Sequence, residues 1–294
     1  VLKKKKQSIL RSSDKEELGS NVSRFRLSSM ILFLVVPFLP LGGCSGTLEN
    51  GRGWGQDALN RIEFDRVAQA ARDALLDPYT LVPLAGAGCF AIDDFDKKVS
   101  DWAVEHNPIF GTESGAADAS TNLKGVLNAE AYITALAAPS GDDPEEWLGS
   151  KVKGVGVELA AVYATENATT WLKHQTGRLR PNGSNNGSMP SGHASTATSF
   201  MTLSNRNLSH IDAVDEVRPL LVAGNTLLDV GVGWARVEAG VHYPSDVLVG
   251  MALGNFLTVF IHDGLMNLPK EENNVRFTVF PTEKGVGFSA VIRF

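Results

Sequence analysis

The chain has 294 residues, 43% of them hydrophobic and 20% charged, an ordinary globular composition long enough for one large domain plus a leader. A net charge of -6 gives no general attraction to nucleic acid or to an anionic membrane face, so nucleic acid is excluded as an expected partner and any anion must be held by a local basic cluster. With only two cysteines, Cys44 and Cys89, a disulfide framework is excluded as well.

Residues 1–43 read as a signal or targeting segment. Basic residues (Lys3 to Lys6, Arg11, Arg24, Arg26) precede an apolar run from Met30 to Leu41, which is too short to span a bilayer comfortably. The run closes on Leu41-Gly42-Gly43-Cys44, which resembles the bacterial lipobox and marks Cys44 for lipidation. Ser45 after the cysteine is similar to the sorting pattern of outer-membrane lipoproteins, so the expected location is the bacterial cell envelope, facing the periplasm. The expected membrane partner is reached through that lipid anchor.

Residues 44–56, rich in Gly and polar residues, are expected to form a flexible tether, and the helical domain is expected over 57–268. Apolar residues at helical spacing predict helices over 57–76, 80–91 and 93–106, with Pro78 ending the first. Residues 107–123 carry Pro, Gly, Ser and Asn and read as a loop. Further helices are predicted over 127–138, 144–175, 192–204, 212 to about 234 and 245 to about 265. The last contains an uncharged run, Val247 to Ile261, assigned to buried core rather than to a membrane span. Residues 269–294 alternate with period two around Pro281 to Gly285 and are expected to form a small C-terminal β-hairpin. Cys89, in an apolar segment, reads as a buried, inert thiol.

Three clusters carry chemistry: Lys173-HQTGRL-Arg180-Pro181, Pro190-Ser191-Gly192-His193, and Arg236-VEAGV-His242-YPS-Asp246. Arg and Lys supply charge for phosphate oxygens, the guanidinium through two parallel hydrogen bonds. His193 follows Ser191-Gly192 at a predicted helix start, where free backbone N–H groups and the helix dipole favour an anion. A neutral imidazole there can attack phosphorus, leaving a second acid/base group to protonate the departing alkoxide. His242 is the candidate, with Asp246 to fix its orientation. Arg178, inside the first cluster, is suited equally to substrate contact and to a loop salt bridge. His106, His174, His210 and His262 match no metal-ligand pattern.

The ordered spacing, Lys-x6-Arg-Pro, Pro-Ser-Gly-His and Arg-x5-His-x3-Asp, resembles the tripartite signature of the type-2 phosphatidic acid phosphatase and vanadium haloperoxidase superfamily, over residues 173 to 246. The resemblance implies an all-α helical bundle in which Lys173, Arg180, Ser191, Gly192 and Arg236 bind phosphate. It makes His193 the nucleophile, His242 the general acid/base and Asp246 its orienting partner. It further implies a phosphate-ester substrate, lipid or soluble, and no metal or other cofactor, with vanadate acting as an inhibitor. One position departs from the family pattern: Ala235 stands where a serine usually precedes the arginine, removing a phosphate hydrogen bond. Two other functions use the same residues. A vanadium-dependent haloperoxidase would hold vanadate as its cofactor in the same pocket, and a non-catalytic lipoprotein would bind phosphorylated ligands without turnover.

Overall fold

A computed structural model of the chain describes residues 46–268 and the backbone of 275–282 and 285–292. The leader over 1–43, the lipobox with Cys44, and the remaining tail positions lie outside the described residues. Eight α-helices follow in order: α1 (Phe64–Leu76), α2 (Pro78–Phe90), α3 (Phe95–His106), α4 (Glu113–Ala137), α5 (Pro144–Thr176), α6 (Gly192–Leu208), α7 (Arg218–Glu238) and α8 (Pro244–Leu265). The described domain is all-α, in agreement with the sequence. In the tail, 275–282 and 285–292 run antiparallel, with Val275 opposite Ile292.

Local chemistry explains the boundaries. Asp143 caps α5, its carboxylate accepting from Glu145 N at 2.9 Å and Glu146 N at 3.2 Å, with Pro144 at the first helical position. At the other end Gly177 takes the left-handed conformation, φ 54°, that closes a helix. Three expectations need correction. Residues 57–63 are turn and extended chain, and α1 starts only at Phe64. The stretch read as a loop over 107–123 is helical from Glu113, because the Thr112 hydroxyl accepts Gly115 N at 2.9 Å and starts α4 there. The helix expected from residue 212 begins at Arg218, where Pro219 suits a first turn, after a single 3-10 turn over Asp212–Val214.

Residues 46–56 are also not a free tether. Trp54 is fully buried, its backbone N–H donates to Pro139 O at 2.7 Å, and Gly53 and Gly55 pack directly on the backbone of Ser140 and Ser150. Gly46 itself accepts from Gly141 N at 2.8 Å. Cys89 is exposed rather than buried, because it lies on the outer face of α2.

Helix α6 is the central element, with 13 of its 17 residues buried, so it is enclosed rather than amphipathic. One side contributes Ala197, Phe200, Met201 and Leu203 to a cluster with Leu127 and Ala131 of α4 and Val232 of α7. Towards the start of α6, Ala194 joins Ala103, Val237, Val247 and Met251 from α3, α7 and α8. Against α8, the approach is backbone to backbone: a Cβ on Gly250 would stand 2.6 Å from Ser191 O, and one on Gly254 would collide with Ser195 O. Two glycines one turn apart therefore bring the starts of α6 and α8 together. Helix α8 is long and apolar enough to cross a membrane, and 61% of its apolar window is buried against the other helices.

Candidate active site

The site is built where the end of α5, the loop 177–191, the start of α6, the last turn of α7 and the start of α8 converge. Ser191 caps α6 and its N–H donates to Asp246 O at 2.8 Å, tying the second cluster to the third. Gly192 and His193 then occupy the first turn, where the unpaired N–H groups of a helix gather. Lys173, in the last turn of α5, donates from Nζ to Gly187 O at 2.6 Å and so holds the loop over the site. Arg180 fastens the same loop through its backbone N–H to Asn185 O at 3.0 Å. Asn182 N donates to Gly240 O at 3.0 Å, joining the loop to the turn before His242.

The electrostatics are those of a site that suits an anion. Arg236 is buried and donates from one guanidinium nitrogen to Ser120 Oγ of α4 at 3.0 Å. Its Nε, and the Nε of Arg180, are buried and have no hydrogen-bond partner. Neither arginine, nor Lys173, forms an ion pair among the described residues. Burial pushes Lys173 down to about 8, with Arg180 adding to the shift, and pushes Arg236 down to about 10 for the same reasons. His193 is lowered to about 3 by burial and then by Arg236 and Lys124; His242 is lowered to about 4, chiefly by burial. Both imidazoles are neutral in the resting site at pH 7.

Asp246 is buried, which raises it, yet its carboxylate stays below the usual range because the His242 ring lies beside it and because it accepts from Ser188 Oγ at 2.5 Å, from Tyr243 N at 2.9 Å and from Arg178 at 2.7 Å. Its Oδ2 is 3.8 Å from His242 Nδ1. That is too long for a hydrogen bond and short enough for a charge interaction. Of the two readings of Arg178, the salt bridge is the one present, to Asp246 and to Asp96 of α3, each at 2.7 Å.

All eight positions singled out by the three clusters therefore meet here: Lys173 on α5, Arg180 and Ser191 on the loop, Gly192 and His193 on α6, Arg236 on α7, His242 in the turn after it and Asp246 on α8. Sequence reasoning missed Ser120, inside the stretch 107–123 read as loop, and Lys124, one turn further along α4 between that stretch and the helix predicted from 127. It also missed Asp96 and Ser188, ordinary residues outside the spaced pattern. Ala235 is fully buried. A cavity of ≈ 640 Å³ adjoins the site at Arg178, Tyr243 and Ser245, and Ala87, Phe90 and Met189 supply apolar wall. Among the described residues no three His, Cys, Asp or Glu side chains stand together as a metal site, and the donors here suit an oxyanion.

Residues 155–268 match the model of a family described as the PAP2 superfamily. Among solved structures, the chain is similar to a transmembrane PAP2-type phosphatidylglycerolphosphate phosphatase from Bacillus subtilis, at 19% identity and a TM-score of 0.45, over 67% of this chain and 94% of that one. No curated protein sequence matches the chain.

Proposed function

We propose that the chain, whose residues 155–268 match the model of the PAP2 superfamily, is a phosphatase that hydrolyses phosphate monoesters through a phosphohistidine on His193. The observation that carries the proposal is the pair of buried, unpartnered guanidinium N–H groups on Arg180 and Arg236 beside a neutral histidine at a helix start. A buried guanidinium N–H without an acceptor is costly, and a bound phosphoryl oxygen removes that cost.

In the first step a ring nitrogen of His193 forms a bond to phosphorus while the bond from phosphorus to the ester oxygen breaks. Lys173, Arg180, Arg236, the Ser191 hydroxyl and the backbone N–H of Gly192 hold the non-bridging oxygens and the charge that develops on them. His242, protonated in the substrate complex, gives its proton to the leaving alkoxide. In the second step His242 takes a proton from water, the resulting hydroxide attacks phosphorus, and the N–P bond breaks to release phosphate and restore His193. No metal enters either step. The apolar part of the 640 Å³ cavity beside Tyr243 supports an ester whose alcohol has apolar surface, in a lipid or a soluble compound.

The proposal extends to the ends of the chain. Lipidation at Cys44 would leave only Ser45 between the anchor and Gly46, which is docked on the bundle, so the domain would work against the membrane surface of the bacterial envelope. An outer-membrane position facing the periplasm and a terminal hairpin over 269–294 are part of the same reading.

The test is hydrolysis of an aryl phosphate by the full chain in detergent, with chelator present, beside His193→Ala. Turnover that resists chelator and falls by at least about a thousandfold in the variant is expected. A folded wild-type chain without turnover would sink the proposal, and vanadate-dependent halogenation with peroxide would replace it with the haloperoxidase function.

A further inference from the structure

We propose that Arg178, clamped by Asp96, is the positioning residue of this site: it holds the Asp246 carboxylate in place and sets the charge against which His242 gains and loses its proton. The proposal rests on the phosphatase reading only for the use made of that proton.

The guanidinium of Arg178 lies between two carboxylates from different parts of the chain. One nitrogen donates to Asp246 Oδ1 and to Ser245 Oγ, each at 2.7 Å, and the other donates to Asp96 Oδ2 at 2.7 Å. Asp96 Oδ1 in turn accepts Ser245 N at 2.9 Å, and Ser245 Oγ donates to Asp96 Oδ2. The Arg178 Cζ lies over the Tyr243 ring, 4.2 Å from its centroid. Three donors along one planar fork, with an aromatic ring underneath, are a task for arginine that lysine cannot perform. A surface loop salt bridge needs none of this, and Asp96 and Asp246 are both buried.

Charge makes the arrangement more than a fastener. Asp96, Arg178 and Asp246 together carry one net negative charge, enough to pair a single imidazolium at His242. Without Arg178 the two carboxylates would carry two. Other groups face His242 as well: Lys173 from α5, Arg236 from α7 and His193 from α6, all of which oppose its protonation, while Glu113 of α4 stands near Gly240 in the turn before it. Asp246 is the carboxylate that favours the imidazolium, and Arg178 controls how strongly it does so.

The experiment is an NMR titration of the histidine rings in the full chain, with His242 assigned by loss of its signal in His242→Gln, together with kcat and KM across pH. In Arg178→Ala the His242 pKa is expected to rise by about one unit, and in Asp96→Asn to fall by a similar amount. Arg178→Lys keeps the charge and should leave the pKa within about half a unit, while kcat drops roughly tenfold with KM nearly unchanged. If Arg178→Ala fails to fold, the other two variants decide. An unmoved His242 pKa in the charge-changing variants, with unchanged kcat per folded molecule in Arg178→Lys, would make the network a structural bridge and overturn the proposal. Absence of turnover in the wild type would instead count against the phosphatase reading, and the ring titration would still judge the clamp.

Discussion

His193 and His242 are kept neutral first by burial and then by the cations their site gathers around them, Arg236, Lys124 and Arg180 at His193 and Lys173 and Arg236 at His242. An oxyanion in that site offsets the cations, so saturating phosphate or vanadate is expected to raise both histidine pKa values, His193 from about 3 and His242 from about 4. Ring titration with and without phosphate checks this, and pKa values that stay put would mean the anion binds elsewhere. Arg236 depends on Ser120 for its orientation, so Ser120→Ala should cost about 1 kcal/mol of phosphate binding, roughly a fivefold rise in KM, with kcat little affected. The chemistry at this scale was legible where residue type and spacing are both demanding, as in Pro190-Ser191-Gly192-His193. Ser120 was illegible because a serine on a helix face has no signature of its own; only the partner it holds gives it meaning. Asp96 was illegible for the same reason, 82 residues from the arginine it clamps.

At the scale of elements, the site depends on how closely α6 and α8 approach. Gly250 and Gly254 allow it, and a methyl group at Gly254 has the Ser195 carbonyl in its way. Gly254→Ala should therefore destabilise the fold by about 2 to 4 kcal/mol, read as a lower thermal midpoint and, in the folded fraction, as weakened phosphate binding. A stability within error of the wild type would show that the helices separate freely. The spacing of the helices was largely readable from apolar periodicity, and the start of α6 from Ser191-Gly192. The start of α4 was not, since Ser114, Gly115, Ser120 and Asn122 have loop-like composition and the helix is held by tertiary packing through Leu127 and Ala131. The Gly-rich stretch before Asp57 misled in the same direction: the glycines over 53–55 are there for close packing around Trp54, not for flexibility.

For the molecule as a whole, buried ionisable groups limit stability from both sides of the pH scale. His242 and His210 have folded pKa values near 4, below the ordinary 6.5, so stability that is complete above about pH 6.5 is lost as pH falls through 4. Glu158 and Asp229 have folded values raised to about 8 and about 7 by burial, so their contribution is complete below their unfolded values and is lost as pH rises through those numbers. Glu158→Gln keeps an acceptor for Asn207 and removes the ionisation, and is expected to stabilise the fold by about 1 to 3 kcal/mol at pH 8 and not at pH 4. Denaturant melts at the two pH values check it, and an equal effect at both would contradict the titration. The central claim is the phosphohistidine proposed on His193 in this cationic pocket. It is tested most directly by acid-free quenching of the full chain during turnover of a phosphate ester labelled in its phosphoryl group, followed by peptide mapping. Label that is stable to base, labile to acid and located on His193 is the expected result; steady turnover with no labelled enzyme, retained in His193→Ala, would contradict it.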